Sequence, residues 1–375
     1  MILSACPHAG DCGSCAGYLK ESSSFYEAKE RVLAEAAKEC GLDLPCFAMV
    51  SVGDYEFRDR VDLTWHQGRL GFFHAEKKEI VDLLNCLQLS PKLLRWVLEF
   101  KNVFKETKIK KASIRLRVSP DSLKGLWLDC SHEETAIFLK ESDLVSSLLK
   151  LCHIEVGQRF KSVIKKNDGS FGLSKERTMQ SWFETFDKNG NPIPLNSFVA
   201  SFTQTGVNAN RVMVKQALEL LSKTPDLPVV ELFCGLGNFS FALASTGRKL
   251  QCYEVDELSL ACFKKTLEEH PELKETIFLH ELNLYQDAGL PALFEDSLLF
   301  VDPPRSGLKN VLGHILRTTK EKRPKFILYV SCFAPTLASD LSELTKYDYS
   351  IEDLRGFDQF PQGSHSEWGV LLKKN

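Results

Sequence analysis

Four groups of residues in this sequence are of a type and spacing that could do chemistry. Cys332 ends the apolar run KFILYVSC. A thiol presented there could act as a nucleophile once ionised. Asp302 ends a second apolar run, SLLFVD, and Pro303 and Pro304 fix how that end is presented. Gly235 and Gly237 in VVELFCGLGNFSFALA lie between a strand pattern and a helix pattern. Glycines let the backbone approach a ligand, and a helix start offers free N–H donors. Glu254 ends the next strand pattern, LQCYEVD, where an acid could accept hydrogen bonds from both ribose hydroxyls. Ser240 stands where a dinucleotide loop would carry its third glycine, so an adenosyl cofactor without a pyrophosphate fits better. Asn283, closing HELN, either delivers a polar group toward an adenine or simply turns the strand end. The fourth group is Cys6, Cys12 and Cys15, spaced C-x5-C-x2-C, with Cys86 far downstream. C-x2-C is shared by zinc and iron-sulfur sites, so the spacing leaves both open. Cys234, Cys252 and Cys262 read as small buried hydrophobes, and Cys40 and Cys46 as structural.

These groups must be positioned by the elements around them. From about residue 198 onward, helical patterns such as VMVKQALELLSK and ELSLACFKKTLEE alternate with short apolar strands. That alternation predicts an α/β domain with a doubly wound, largely parallel Rossmann-like sheet over 198–375. Ligands of such sheets bind outside the carboxyl ends of the strands, so the glycine loop, Glu254, Asp302 and Cys332 should converge on one crevice. Residues 48–197 read instead as a strand-rich α+β domain. Runs such as RVDLTWHQGRLGFF, SIRLRVS and GLWLDC are broken there by His-Gln-Gly, Ser-Pro and Asn-Asp-Gly turns. Residues 1–47 form a small unit holding the cysteine cluster and a helix over 25–40 that ends before Gly41.

Composition narrows the function classes. With 375 residues, 43% hydrophobic and 26% charged, the chain is globular and large enough for two or three cores. No stretch approaches the roughly 18 apolar residues of a membrane helix. The start of the chain lacks a basic segment followed by an apolar one, so a cytoplasmic enzyme is expected, with no membrane association. Its twelve cysteines then read as thiols, metal ligands or catalytic groups. A net charge of −3 argues against a protein that coats nucleic acid indiscriminately, but not against a selective RNA enzyme. The segment from Lys101 to Arg117 carries seven basic residues against Glu106 alone, either a solvated face or an RNA approach.

Five ordered motifs bring the sequence to a family. FTQTGVNAN (202–210), ELFCGLGNFS (231–240), FVDPPRSGL (300–308), YVSC (329–332) and FDQFPQGSHSEWGVLL (357–372) closely resemble the RNA uracil-C5 methyltransferases. GFFHAEKKEIVDLLNCLQLSP (71–91) resembles the family's segment carrying its last cluster cysteine. The resemblance implies an S-adenosylmethionine-dependent enzyme of the EC 2.1.1 class. Cys332 matches the nucleophile that adds to uracil C6, and Glu367 the general base that removes the C5 proton. Gln204, Phe233, Asn238, Glu254 and Asp302 match positions that hold cofactor or substrate. Cys6, Cys12, Cys15 and Cys86 match the ligands of a [4Fe-4S] cluster.

The cluster residues without a preceding β-barrel extension most resemble the branch acting on 23S ribosomal RNA at a uridine of the 747 type. The expected partner is RNA, ribosomal rather than transfer, met by a monomer. Phe333 departs from the asparagine usual after the nucleophile. Rival readings are a methyltransferase for another substrate, a transfer RNA enzyme, a non-catalytic RNA-binding protein of the same fold and an electron-transfer protein. Cys332 together with Glu367 speaks against the first, because amine or oxygen methylation needs no thiolate addition, and that both residues are intact speaks against the third.

Overall fold

The computed structural model describes the chain apart from residues 1–5, 10, 16–21, 54–55, 75, 78, 158–160, 285, 287–293 and 364, and gives the backbone only for 22–25. The chain forms two compact units interleaved along the sequence. One comprises Met1–Leu19, Gly53–Phe183 and Asn196–Val207; the other comprises Lys20–Val52, Glu184–Leu195 and Asn208–Asn375. The strands Gln180–Phe186 and Pro192–Ser197 are two of the places where the chain passes between them.

The larger unit is built on an eight-stranded sheet. Its centre is four parallel strands in the spatial order Phe326–Ser331, Leu298–Val301, Val229–Leu232 and Leu250–Glu254, and Ile277–Glu281 adds a parallel edge. VVEL and LLFV are buried at every position, as expected of parallel strands covered on both faces. The strand Glu367–Lys374 runs antiparallel beside Phe326–Ser331, and Tyr349–Asp358 lies beyond it. Met49–Ser51 closes that edge in parallel. One face of the sheet is covered by the helices Ser22–Glu39 and Ala334–Lys346, whose Leu33, Ala37, Leu337 and Leu341 join a single apolar core with Leu299, Ile327 and Val370. Gly41, at φ +65, ends the first helix, and its N–H donates back to the Lys38 carbonyl.

The smaller unit holds the second eight-stranded sheet, antiparallel except where Lys124–Asp129 meets His153–Val156. The His-Gln-Gly segment is a hairpin turn between Arg60–His66 and Arg69–His74, with Gln67 and Gly68 both at positive φ. The Asn-Asp-Gly segment likewise joins Lys161–Lys165 to Phe171–Ser174. The amphipathic helix Pro91–Phe104 buries Leu93, Trp96, Val97, Phe100 and Phe104 against this sheet. Among the described residues, no helix is long and apolar enough to cross a membrane.

Candidate active site

The glycine loop leaves the carboxyl end of Val229–Leu232 through a strained backbone. Phe233 takes φ +63, rare for a residue with a side chain, and Gly235 and Gly237 follow at +57 and +98. A Cβ on Gly237 would come within 2.5 Å of the Phe241 ring, so only glycine fits there. Glu254 holds the loop's shape: its Oε2 accepts the Gly235 N–H at 2.9 Å, and its Oε1 accepts those of Val255 and Asp256 at 2.7 and 2.9 Å. The Asn238 amide is exchanged reciprocally with that of Asn210, at 2.7 and 2.8 Å. The helix after the loop, Ser240–Ala244, is five residues long and fully buried. Asn283 lies just past the end of Ile277–Glu281.

Beneath the loop sits Glu231, an acid that the sequence reading passed over. Its neighbours in VVELF are apolar, and the side chain is 2% exposed. Burial pushes its carboxyl up to about 8, opposed by a hydrogen bond from the Cys252 thiol at 3.4 Å. Near neutral pH it is mostly protonated and serves the packing under the loop.

Asp302, Cys332 and Glu367 meet at the ends of adjacent strands. Val301 pairs with Tyr329 and Ser331 with Trp368, so the residue after one strand, the residue after the next and the first residue of the third are neighbours. Asp302 and Cys332 are partly accessible, and Glu367 is 5% exposed. Burial pushes the Asp302 carboxyl up to about 7. Burial and then the Asp302 charge push Glu367 up to about 8, while a hydrogen bond from Gln359 Nε2 at 3.0 Å and the charge of Arg305 act against them. Cys332 is pushed up to about 11 by burial, Glu367 and Asp302, again opposed by Arg305. At rest the crevice therefore keeps protons on its thiol and on most of its Glu367.

Arg305 is the cation of this arrangement, and the sequence reading did not single it out. It is exposed, and an arginine after two prolines reads as surface. The available signal was its position three residues after Asp302. Its loop is anchored by Asp340, whose Oδ2 accepts the Leu308 N–H at 2.9 Å and the Tyr329 hydroxyl at 2.7 Å. Phe333 is 37% exposed and extended, at the start of Ala334–Lys346.

The remaining candidates belong to the smaller unit. Gln204 lies in a loop that packs on Phe57–Arg60. There the Thr205 carbonyl accepts the Asp59 N–H at 2.9 Å, and a Cβ on Gly206 would stand 1.6 Å from the Phe57 oxygen. The basic segment divides. Arg117 is 1% exposed and donates to the Phe198 and Val199 carbonyls, Lys101 is paired with Asp82 at 2.7 Å, and Arg115 with Asp62 at 2.6 Å. Lys105, Lys108, Lys110 and Lys111 face solvent.

Cys6, Cys12, Cys15 and Cys86 line one pocket, together with His8 and Arg58. The first three lie on a turn-rich segment tied down by the His8 Nε2, which accepts the Leu84 N–H at 3.0 Å, and by a 2.8 Å Lys77–Asp11 ion pair. Burial pushes the Cys15 thiol up to about 12, and the other three thiols add to that while Arg58 opposes it. Among the described residues, no three such side chains are drawn together as ligands of a single metal ion.

The sequence profile of a family described as tRNA (uracil-5-)-methyltransferase matches residues 181–274 and 280–375. An RNA methyltransferase of Bdellovibrio bacteriovorus whose function is uncharacterised is 31% identical, over 98% of this chain and 95% of its own length. This chain belongs to the RNA uracil-C5 methyltransferase family. It is an S-adenosylmethionine-dependent enzyme of the EC 2.1.1 class, as the motifs implied. A Wolinella succinogenes tRNA/tmRNA (uracil-C5)-methyltransferase is 28% identical over 98% of this chain and 99% of its own length. A Shewanella sediminis 23S rRNA (uracil(1939)-C5)-methyltransferase is 26% identical over 98% and 81%. Among solved structures, the Pyrococcus abyssi tRNA (uracil-54, C5)-methyltransferase bound to S-adenosylhomocysteine shares the α/β fold. Its TM-score is 0.67 at 18% identity, covering 94% of this chain and 83% of that one.

Proposed function

We propose that the chain methylates C5 of a uracil in 23S ribosomal RNA, at a uridine of the 747 type, through a covalent adduct on Cys332. The observation that carries this is the meeting of a thiol, two carboxyls and an arginine at the ends of adjacent strands. S-adenosylmethionine, when bound, supplies an electrophilic methyl group. Gly235 and Gly237 give it room at the backbone, Glu254 has a lone pair on Oε2 left for a ribose hydroxyl, and Phe233, Asn238, Asn283 and Asp302 complete the binding set.

Uracil C5 is a weak nucleophile. Cys332 Sγ, as thiolate, forms a bond to C6 and shifts the ring electrons toward C5, which then takes the methyl group. Arg305 favours the thiolate against the two carboxyls that disfavour it. Glu367, ionised, removes the C5 proton, the electrons return to the ring and the C6–S bond breaks to release the thiolate. The base must be out of its helical stack for C6 to be reached, which suits a loop or an extruded nucleotide. Residues 48–197 would bind the RNA, with Lys108, Lys110 and Lys111 as the exposed part of the basic segment. Cys6, Cys12, Cys15 and Cys86 would hold a [4Fe-4S] cluster with a structural role.

Transfer RNA is the second reading, favoured by the Wolinella relative that matches this chain almost end to end. Mass mapping of 5-methyluridine in ribosomal and transfer RNA, from cells with and without the gene, separates the two. The expected result is loss at one 23S uridine. Loss confined to transfer RNA would move the assignment to the second reading, and no loss in either RNA would contradict both.

A further inference from the structure

A buried lysine brackets the residue that touches Glu367. Lys29, in the helix Ser22–Glu39, is 2% exposed and is paired with the Asp358 carboxylate, itself 1% exposed. Its ammonium also donates to the Phe360 carbonyl oxygen at 3.0 Å. These two acceptors flank Gln359, whose own N–H donates to the Phe357 carbonyl at 3.0 Å. The turn is thus fixed on both sides of the one side chain between them, and that side chain donates to Glu367 Oε1 at 3.0 Å. Register adds to this, because Phe357 pairs directly with Glu367 across the two strands.

Burying a lysine here is expensive. Desolvation lowers the pKa of Lys29, and the Asp358 carboxylate opposes it. A well-packed apolar pair of similar size would commonly be as stable or more so, so stability alone is a weak account of a buried ion pair. What the pair adds is geometry: an ammonium directs several donors at once, and here one holds the Asp358 side chain and another the main-chain carbonyl of Phe360. A carboxyl that must collect a carbon-bound proton needs such an aim, since small misplacements cost large factors in rate.

We propose that Lys29 and Gln359 are positioning residues for the C5 proton transfer: Lys29 clamps the turn, and the Gln359 amide aims the Glu367 carboxylate and favours its ionised form. This rests on the reading of Glu367 as the base. The groups facing that carboxyl are Asp302, from the end of Leu298–Val301, Arg305 from the loop after it, Cys332 from the end of Phe326–Ser331, and Gln359. Arg305 and Gln359 favour the ionised base against burial and Asp302. Loss of the Gln359 N–H therefore removes one of two opposing influences.

The test is release of tritium from 23S and transfer RNA transcripts carrying [5-3H]uridine, followed in single turnovers across pH. Gln359→Leu keeps the bulk and removes the donor. It should slow release about 10- to 100-fold near neutral pH, the range for one hydrogen bond to a charged group. It should also move the acid limb upward by about one pH unit and let methylated protein–RNA adduct accumulate. The paired change Lys29→Met/Asp358→Leu leaves no charge buried alone and should shift the limb in the same direction by less. Parental release and limb in Gln359→Leu would overturn the proposal. If the paired variant alters thermal stability alone, the role of Lys29 is overturned. Glu367→Gln, run in parallel, separates this from the reading beneath it. Release at the parental rate in Glu367→Gln, or none from either RNA by the parent, would overturn the assignment of the base and the relay with it.

Discussion

The crevice around Cys332 and the pocket around Cys15 both gather groups that can lose a proton, and they manage the resulting charge differently. In the crevice, burial first and then the neighbouring carboxyl charges hold the protons of Cys332 and Glu367 on, with Arg305 opposing them. The two carboxyls, at about 7 and 8, fall where a proton can be lost and regained near neutral pH, which is what a catalytic cycle requires, while the thiol, at about 11, keeps its proton at rest. In the pocket, four thiols share a site with Arg58, and Cys15 is held far from ionisation. Under the proposed assignment these thiols would ionise once, for a cationic centre that stays. The comparison teaches that a cysteine's role follows from its company: carboxyls on neighbouring strand ends in one case, three more thiols in the other.

The largest effect that would sharpen this contrast is at Cys86. Protein purified without oxygen should carry about four irons per chain and be brown, and Cys86→Ser should lose nearly all of that iron. Binding of S-adenosylhomocysteine at the glycine loop and Glu254, which lie in the other unit, should persist. One equivalent of zinc in the parent, with no iron, would put the pocket in a different class and leave the crevice untouched.

A smaller effect belongs to Glu254. Removing its carboxylate takes away the three backbone bonds that shape the glycine loop, and with them the proposed charge-assisted hydrogen bond to the ribose. Calorimetry should show S-adenosylhomocysteine binding weakened by about 1.5 to 3 kcal/mol in Glu254→Ala, the range for hydrogen bonds to charged groups. Unchanged binding would mean that neither role is real.

The smallest effect is on stability against pH. Asp302, Glu231 and Glu367 have values raised to about 7, 8 and 8 in the folded protein, against ordinary carboxyl values in the unfolded chain. A raised group lends its full stability below its unfolded pKa and loses it as pH rises through the folded one. Between about pH 5 and 8.5 the ligand-free protein should therefore lose several degrees of melting temperature by this linkage. Glu367→Gln should flatten the slope. A melting temperature that rises over that window would contradict the burial assigned to these acids.

Much of the larger unit was legible because its strands are apolar throughout and end in residues with chemistry. LLFV runs into Asp302 and FILYVS into Cys332, and parallel strands place such ends together. The strand Tyr349–Asp358 was not foreseen. YSIEDLRGFD has no unbroken apolar run and carries an irregularity between Ile351 and Asp353, so neither of the two strand patterns appears in it. Glu231 and Lys29 were passed over for a common reason: charged residues in local sequence read as surface, and only tertiary packing buries them. Arg117 shows the same in the basic segment, where a run of positive charge hides one structural arginine among exposed lysines. Gln359 could be read as part of a motif, but its partner Glu367 is fixed by the pairing of two strands.

The central claim is that Cys332 adds to uracil and Glu367 then removes the C5 proton. It is tested most directly by Glu367→Gln with methyl-labelled cofactor and RNA, run on a denaturing gel. Attack and methyl transfer should proceed and elimination should stall, giving a slow band of covalent protein–RNA that carries the label. The band should vanish in Cys332→Ala/Glu367→Gln, while Cys332→Ala alone binds cofactor normally and transfers no methyl group. A labelled adduct that survives in the double variant, or full activity in Cys332→Ala, would contradict the account.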